Sequence, residues 1–352
     1  MYMLAVGING YGTIGKRVAD AIRTQPDMTV AGVVKTSPDH GAVLAQDRGF
    51  PLFVPDDDHR STFTDAALEV TGTLEDMIVK SDIVVDATPG GIGETNVEIY
   101  RDAGVPYILQ GAEPAHAADA SFCAEANGPA CKGSESLRVV SCNTTGLART
   151  LAGLATVEPI TNVDVTLVRR GGDPNQPDRG PIDDIVPTTV VPSHHAGDIQ
   201  TVLPEIPIHT VALTVPTTLM HVHSVTVTFA EAPTERAIVD ALSGMARVSL
   251  VPANRNLEAI SALREVGRDM GRPRGDIWET CLWEESIDLG GRRLSFVQAV
   301  HQESIVVPET IDAIRTLAGQ DPRESINWTN EHLGVGHLSF SPRERTAAIT
   351  AE

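Results

Sequence analysis

Leu4-Ala5-Val6-Gly7-Ile8-Asn9-Gly10-Tyr11-Gly12-Thr13-Ile14-Gly15-Lys16-Arg17-Val18 is the stretch whose reading decides the fold. Residues 3–8 form a short apolar run of the kind that makes a buried strand, and residues 14–24 carry the apolar period of a helix. Between them Gly10, Gly12 and Gly15 form a G-x-G-x-x-G turn. Glycines there permit a tight turn and a close backbone approach to a pyrophosphate. The helix start then offers free N–H groups and the positive end of its dipole to the phosphates. The strand–turn–helix context separates this from a merely glycine-rich turn. Strand patterns recur at 29–35, 82–87, 105–109 and 137–141, with a helical pattern near 94–103. Strands alternating with helices predict βαβ units and a Rossmann-type, doubly wound parallel sheet.

Past about residue 158 the texture changes. Segments 161–169, 208–215, 222–229 and 293–300 alternate apolar and polar residues, which predicts a mixed or antiparallel sheet with one face covered. The fold class expected is therefore α/β, a Rossmann sheet joined to an α+β catalytic domain. Gly171–Pro187 is rich in Gly, Pro and Asp, and a loop that long inside a domain is usually functional. Helical patterns near 308–318 and 321–332 follow, and the polar tail beyond about 338 is expected to be loosely ordered.

The length of 352 residues suits two domains with sizeable interiors. No run of about 18 apolar residues marks a membrane span, and the N-terminus lacks a signal-peptide pattern, so a cytoplasmic protein is expected. The formal charge of −20, with lysine only at Lys16, Lys35, Lys80 and Lys132, disfavours nucleic acid and anionic membranes as partners. It also keeps a protein soluble when salt screens charge, so a salt-rich, halophilic setting is expected. Cys123, Cys131, Cys142 and Cys281 are scattered with no C-x-x-C pair, which suggests neither a metal site nor a disulfide framework.

Cys142 stands out among the four. A strand ends just before it, and a helix is expected at 145–155. A thiol at a helix start gains from the dipole, which favours the thiolate and lowers its pKa, and nearby N–H groups can stabilise an oxyanion. The polar flank Asn143-Thr144-Thr145 argues against simple core packing, which is the reading for the other three cysteines. A partner base is needed, and His194-His195, His209, and His221 with His223 are candidates; the last two share a face of one alternating strand. After the second strand, Lys35 and Thr36 stand where an NAD site usually carries an acidic residue. A lysine with hydroxyls suits a 2′-phosphate, so NADP is expected, with NAD also possible; the plain alternative is a solvated surface lysine. In so acidic a chain, Arg169-Arg170 is the natural local exception for anionic substrates, unless the pair serves Asp173, Asp178 or Asp183.

Taken in order, the Gly10–Gly15 turn, Val34-Lys35-Thr36, Gln110-Gly111-Ala112-Glu113, Ser141–Leu147, the Arg169-Arg170 loop, His194-His195, Thr217–Ser224 and Val300-His301-Gln302-Glu303 resemble the archaeal type of glyceraldehyde-3-phosphate dehydrogenase. The acidic composition is similar to that of a haloarchaeal member. The resemblance implies a homotetrameric, phosphorylating enzyme that converts glyceraldehyde 3-phosphate, inorganic phosphate and NAD(P)+ into 1,3-bisphosphoglycerate. It implies Cys142 as nucleophile with Ser141 and Asn143 beside the substrate, and Thr13 and Ile14 in the cofactor turn. Gly111, Arg170 and Gln302 match cofactor contacts, His194 and His195 a substrate-binding pair, and His221 the general base, with His223 as the alternative. It implies domains at 1–141 and 142–303, with residues 304–352 returning to the first. The rival readings are a semialdehyde dehydrogenase acting on an acyl phosphate such as aspartyl phosphate, and a non-catalytic NAD(P)-binding sensor.

Overall fold

The structure is a computed structural model that describes residues 3–172, 180–336 and 338. The chain forms two compact units, one built from residues up to Ser141 together with Val306–Leu333, the other from Cys142–Ile305 and the residues from Gly334 on.

The first unit holds eight strands: β1 (Leu4–Asn9), β2 (Met28–Val34), β3 (Leu52–Val54), β4 (Gly72–Thr73), β5 (Ile83–Asp86), β6 (Tyr107–Gln110), β7 (Ala120–Phe122) and β8 (Ser136–Val139). They form one sheet in the order β4-β3-β2-β1-β5-β6-β8-β7, and each pairing is parallel. Order reverses beside β1, the switch point at which doubly wound sheets bind ligands. The central strands are buried nearly throughout, as a sheet covered on both faces requires. β3, β4 and β7 were not visible in the sequence, because two or three residues show no period.

Helices Val306–Leu317 and Pro322–Leu333 complete this unit. Arg315, fully buried, pairs with Asp27 through Nε and Nη2 at 2.8 and 2.7 Å, and also donates to Gln25 and Thr329. Charged groups are buried only when paired in this way.

The second unit carries β9 (Ile160–Arg170), β10 (Val186–Pro187), β11 (Ile208–Val215), β12 (His221–Phe229), β13 (Val248–Val251), β14 (Thr280–Trp283), β15 (Asp288–Gly290) and β16 (Arg293–Val300). The sheet runs β10-β11-β9-β12-β16-β14-β13, with β15 on β16. It is mixed: β12 is antiparallel to both β9 and β16, while β11 runs parallel to β9. Alternation along β12 buries His221, His223, Val225 and Val227 on one side. Helix Cys142–Leu154 is buried along most of its length. A Cβ on Gly146 in this helix would stand 2.3 Å from Val300 Cγ1 at the end of β16, so the glycine marks a close approach. Beyond Leu333 the Gly336 N–H donates to Glu279 and Leu338 joins a core cluster of this unit; the polar tail after Leu338 lies outside the described residues.

Candidate active site

In the first unit the glycine turn tolerates no side chain at Gly10 or Gly15, whereas a Cβ on Gly12 would meet open space. Gly10 has φ +97°, and a Cβ there would fall 2.7 Å from the carbonyl carbon of Ala87. Such a cradle fits a phosphate-bearing group brought close to bare backbone. The Tyr11 N–H donates to Val34 O at 3.1 Å, which ties the turn to the end of β2. Gly12 starts helix Thr13–Thr24 without a side-chain cap, so the first N–H groups, beginning at Thr13 and Ile14, are left for a ligand. Gly15 is buried in that helix. Lys35 follows β2 and its ammonium lies 2.7 Å from Asp39. Its side chain is only 12 % exposed, unlike a solvated surface lysine. Thr36 comes next in the chain. Gly111 follows β6, and a Cβ there would stand 2.2 Å from Ser141 N, so Gly111 and Ser141 are neighbours.

In the second unit Cys142 is itself the first residue of its helix, three residues earlier than expected. Asn143 and Thr144 belong to the helix because they find buried partners: Asn143 bonds to His195 and His223, and the Thr144 hydroxyl donates to Asp198. The thiol departs from the sequence expectation in its pKa. Burial pushes it up to about 12, outweighing the lowering by Arg170, by the Asn143 N–H and by Arg169; Glu303 adds to the rise. The helix start and the arginines act in the expected direction, and desolvation, which the sequence does not show, is the larger effect.

Arg170, at the end of β9, is fully enclosed. Its Nε donates to Gln302 Oε1 at 2.5 Å, and its Nη1 donates to Glu303 at 2.9 Å and to Thr218 O at 3.1 Å. Two of the sequence-predicted cofactor contacts, Arg170 and Gln302, are therefore bonded to each other. Glu303, in the Val300-His301-Gln302-Glu303 segment, places its carboxylate between Arg170 and His301, a role the sequence alone does not reveal. Arg169 differs: its buried Nε has no partner among the described residues, while its charge acts on Cys142, His194, His195 and His221. Asp173 and Asp178, considered as its partners, lie outside the described residues, as does much of the Gly171–Pro187 loop.

Six polar side chains form one buried chain of hydrogen bonds. Gln298 on β16 donates to His223 Nδ1 at 3.1 Å, His223 Nε2 donates to Asn143 Oδ1 at 2.9 Å, and Asn143 Nδ2 donates to His195 Nε2 at 3.2 Å. His195 Nδ1 then donates to Ser193 Oγ at 3.1 Å, and Ser193 meets Thr210 at 2.7 Å. Donors all point one way, so each ring keeps one N–H and stays neutral. Burial agrees, pushing His223 and His195 down to about 3, the latter helped by His194 and Arg169. His194 stacks on His195 with ring centres 4.0 Å apart. His209, the remaining candidate, is exposed and 3.9 Å from Asp164. Gln298, Ser193 and Thr210 were missed; a lone glutamine in the apolar run Phe296-Val297-Gln298-Ala299-Val300 was the available signal, since a buried amide needs partners.

His221 is held differently. The backbone N–H of Arg170 donates to its Nδ1 at 2.9 Å. A backbone N–H cannot accept, so the neutral ring carries its hydrogen on Nε2. That Nε2 makes no hydrogen bond among the described residues, although the ring is buried. Burial first, then His223 and the two arginines, hold this ring well below its ordinary pKa. A cleft of about 470 Å³ on this unit is lined by Val222, Ile260, Trp283 and Val297 with Glu258 and Glu285. Val222 alternates with His221 and His223, so the cleft opens on the other face of β12, and its carboxylates oppose an anionic ligand. Among the described residues no group of three or more His, Cys, Asp or Glu could hold a metal ion, and no helix is long and apolar enough to cross a membrane.

Residues 141–270 match the family described as "Glyceraldehyde 3-phosphate dehydrogenase, C-terminal domain", and residues 4–111 match "Dihydrodipicolinate reductase, N-terminus". Relatives named glyceraldehyde-3-phosphate dehydrogenase extend over nearly the whole chain. One from Halobacterium salinarum is 51% identical over 95% of this chain and 100% of its own length. One from Haloarcula marismortui is 50% identical over 95% of each. One from Thermococcus kodakarensis is 48% identical over 94% of this chain and 98% of its own.

Proposed function

The chain belongs to the glyceraldehyde-3-phosphate dehydrogenase family, and from that premise we propose that it interconverts glyceraldehyde 3-phosphate and 1,3-bisphosphoglycerate with NAD(P) and inorganic phosphate. The first unit takes the dinucleotide and the second carries the thiol chemistry. The observation that carries this reading is Cys142, a largely buried thiol at the first residue of a buried helix, under the charges of Arg169 and Arg170.

Cys142, once ionised, attacks the aldehyde carbon and turns the carbonyl into a thiohemiacetal oxygen. A bound nicotinamide supplies the hydride acceptor. His221 serves the thiohemiacetal oxygen: at rest its Nε2–H can donate to it, and taking a proton there requires the ring to give up the Arg170 N–H. Ser141 and Asn143 flank the reacting carbon. Arg169, whose Nε has no partner among the described residues, serves phosphate or the substrate's phosphate together with His194 and His195. Arg170 and Gln302 are braced against each other and present that pair toward the cofactor. The thioester on Cys142 is then cleaved by a phosphate oxygen, which releases the thiolate. Among the dinucleotide residues, Gly10, Gly12, Thr13, Ile14 and Gly15 take the pyrophosphate, Lys35 and Thr36 the adenosine ribose, and Gly111 lets the chain pass close to Ser141.

The working form is a homotetramer in a salt-rich cytoplasm. The charge of −20 with four lysines supports the salt requirement, and the family resemblance supports the rest. The test is reduction of NADP+ and NAD+ by glyceraldehyde 3-phosphate, with and without phosphate or arsenate, from low to multimolar potassium chloride. Turnover independent of phosphate rejects the phosphorylating reaction. Full activity and stability without salt reject the halophilic setting, and a mass in the same buffers other than four chains rejects the tetramer.

A further inference from the structure

Two of the four lysines in a chain of charge −20 meet at one place in the first unit. Lys35 Nζ lies 2.7 Å from Asp39 Oδ2. The other oxygen, Asp39 Oδ1, accepts from the Ala42 N–H at 3.1 Å and so caps helix His40–Asp47. Asp39 Oδ1 and Lys16 Nζ both lie within about 3.1 Å of one point, the position that a Cβ on Gly41 would take. The carboxylate of Asp39 is thus bonded to Lys35 through one oxygen, and the Lys16 ammonium lies nearby on the side of the other. Lys16 comes from the helix that follows the glycine turn, and the Tyr11 N–H bond to Val34 O holds that turn against the end of β2. Burial works against the Asp39 carboxylate, but the bond to and charge of Lys35 and the Ala42 and Gly41 N–H groups outweigh it and hold the group below its usual range, so it stays charged.

We propose that Asp39, bonded to Lys35 and near Lys16, is the residue that decides between the two dinucleotides. Its carboxylate accepts a ribose 2′-hydroxyl, the bond an acidic residue makes in NAD sites. The two ammonium groups take a 2′-phosphate, and Lys16 is the second cation of that site beside Lys35. A 2′-phosphate carries about −1.5 to −2 charges, which Asp39 repels while it neutralises the lysines that attract them. The two demands blunt each other, and a site of this composition accepts both dinucleotides. The proposal rests on the reading that the first unit binds NAD(P).

Binding of two fragments to the full-length protein separates the possibilities. Adenosine 2′,5′-bisphosphate carries the 2′-phosphate, and adenosine 5′-monophosphate carries the free 2′-hydroxyl. Both are titrated calorimetrically at one fixed potassium chloride concentration into the wild type, Asp39→Asn, Asp39→Ser and Lys16→Gln. Asn and Ser cap helices about as well as Asp, so these changes remove the charge and leave helix His40–Asp47 capped. The expected result is bisphosphate binding about tenfold tighter and monophosphate binding severalfold weaker in both Asp39 variants, one decade being a single tenfold step in Kd. In Lys16→Gln bisphosphate binding weakens about tenfold and monophosphate binding stays within about twofold. The ratio of kcat/KM for NADP+ over NAD+ should follow the same order. Equal changes for both fragments in the Asp39 variants, or in Lys16→Gln, overturn the selector. If neither fragment binds the wild type, the dinucleotide reading falls and the selector with it.

Discussion

Cys142 and His221 show how a residue's chemistry depends on neighbours that the sequence places only partly. The motif around the thiol was legible, as were the arginine pair and the histidines. The sign of the thiol's shift was not, because the helix start and the arginines can be read from a string and desolvation cannot. Burial favours the protonated thiol, against the pull of the arginines and of the helix start. The tautomer of His221 was equally hidden, since it follows from one backbone N–H across β9 and β12. It leads to a discriminating variant. Gln at 221 can place an amide N–H near the Nε2 position and cannot take a proton. If donation to the oxygen is what counts, His221→Gln keeps at least about tenfold more kcat than His221→Ala, within the range of about 10²–10³ that a single oxyanion donor controls. Equal collapse of the two variants, with unchanged folding by circular dichroism, assigns His221 to proton removal instead.

The elements explain what residue reading missed. Helix Cys142–Leu154 was expected three residues late because Asn143-Thr144-Thr145 looks like a solvated cap. Those residues are buried, and the Asn143 and Thr144 side chains are spent on His195, His223 and Asp198. Register decides their partners: His223 faces Gln298 across β12 and β16, a pairing no local pattern reveals. The same register brings Val300 against Gly146. Alanine is the better helix former by about 1 kcal/mol, yet a methyl there would lie 2.3 Å from Val300 Cγ1, and valine is stiff about χ1. Gly146→Ala should therefore destabilise the protein by about 1–3 kcal/mol in denaturant unfolding at high salt. A gain in stability would show that β16 yields.

For the whole molecule, the parallel sheet and the change of texture near residue 158 were legible because their strands are long enough to carry a period; the two- and three-residue edge strands were not. Protonation adds a property of the whole. His195 and His223 are neutral and pushed down to about 3, against about 6.5 in an unfolded chain. Below pH 6.5 the unfolded chain binds protons that the folded one refuses. Stability is complete above that pH and falls toward about pH 3, by up to about 1.4 kcal/mol per pH unit for each ring. Urea unfolding at fixed potassium chloride should show this loss between pH 6.5 and 5, and replacing Gln298 or Ser193 should shift it. A flat profile over that interval contradicts the neutral hydrogen-bond chain.

The pairing of Arg315 with Asp27 spans 288 positions, and its consequence is one of timing. A ribosome adding about 5–20 residues per second releases Asp27 roughly 15–60 s before it makes Arg315. Through that interval the nascent nucleotide-binding sheet lacks its closing helices, and the carboxylate of Asp27 waits for its counterion. The thiol unit, drawn mainly from Cys142–Ile305, is made in the chain between the other unit's two segments and can condense in the meantime. A chain cut short of residue 306 would leave the ribosome with its earliest-made sheet still open along the face those helices cover.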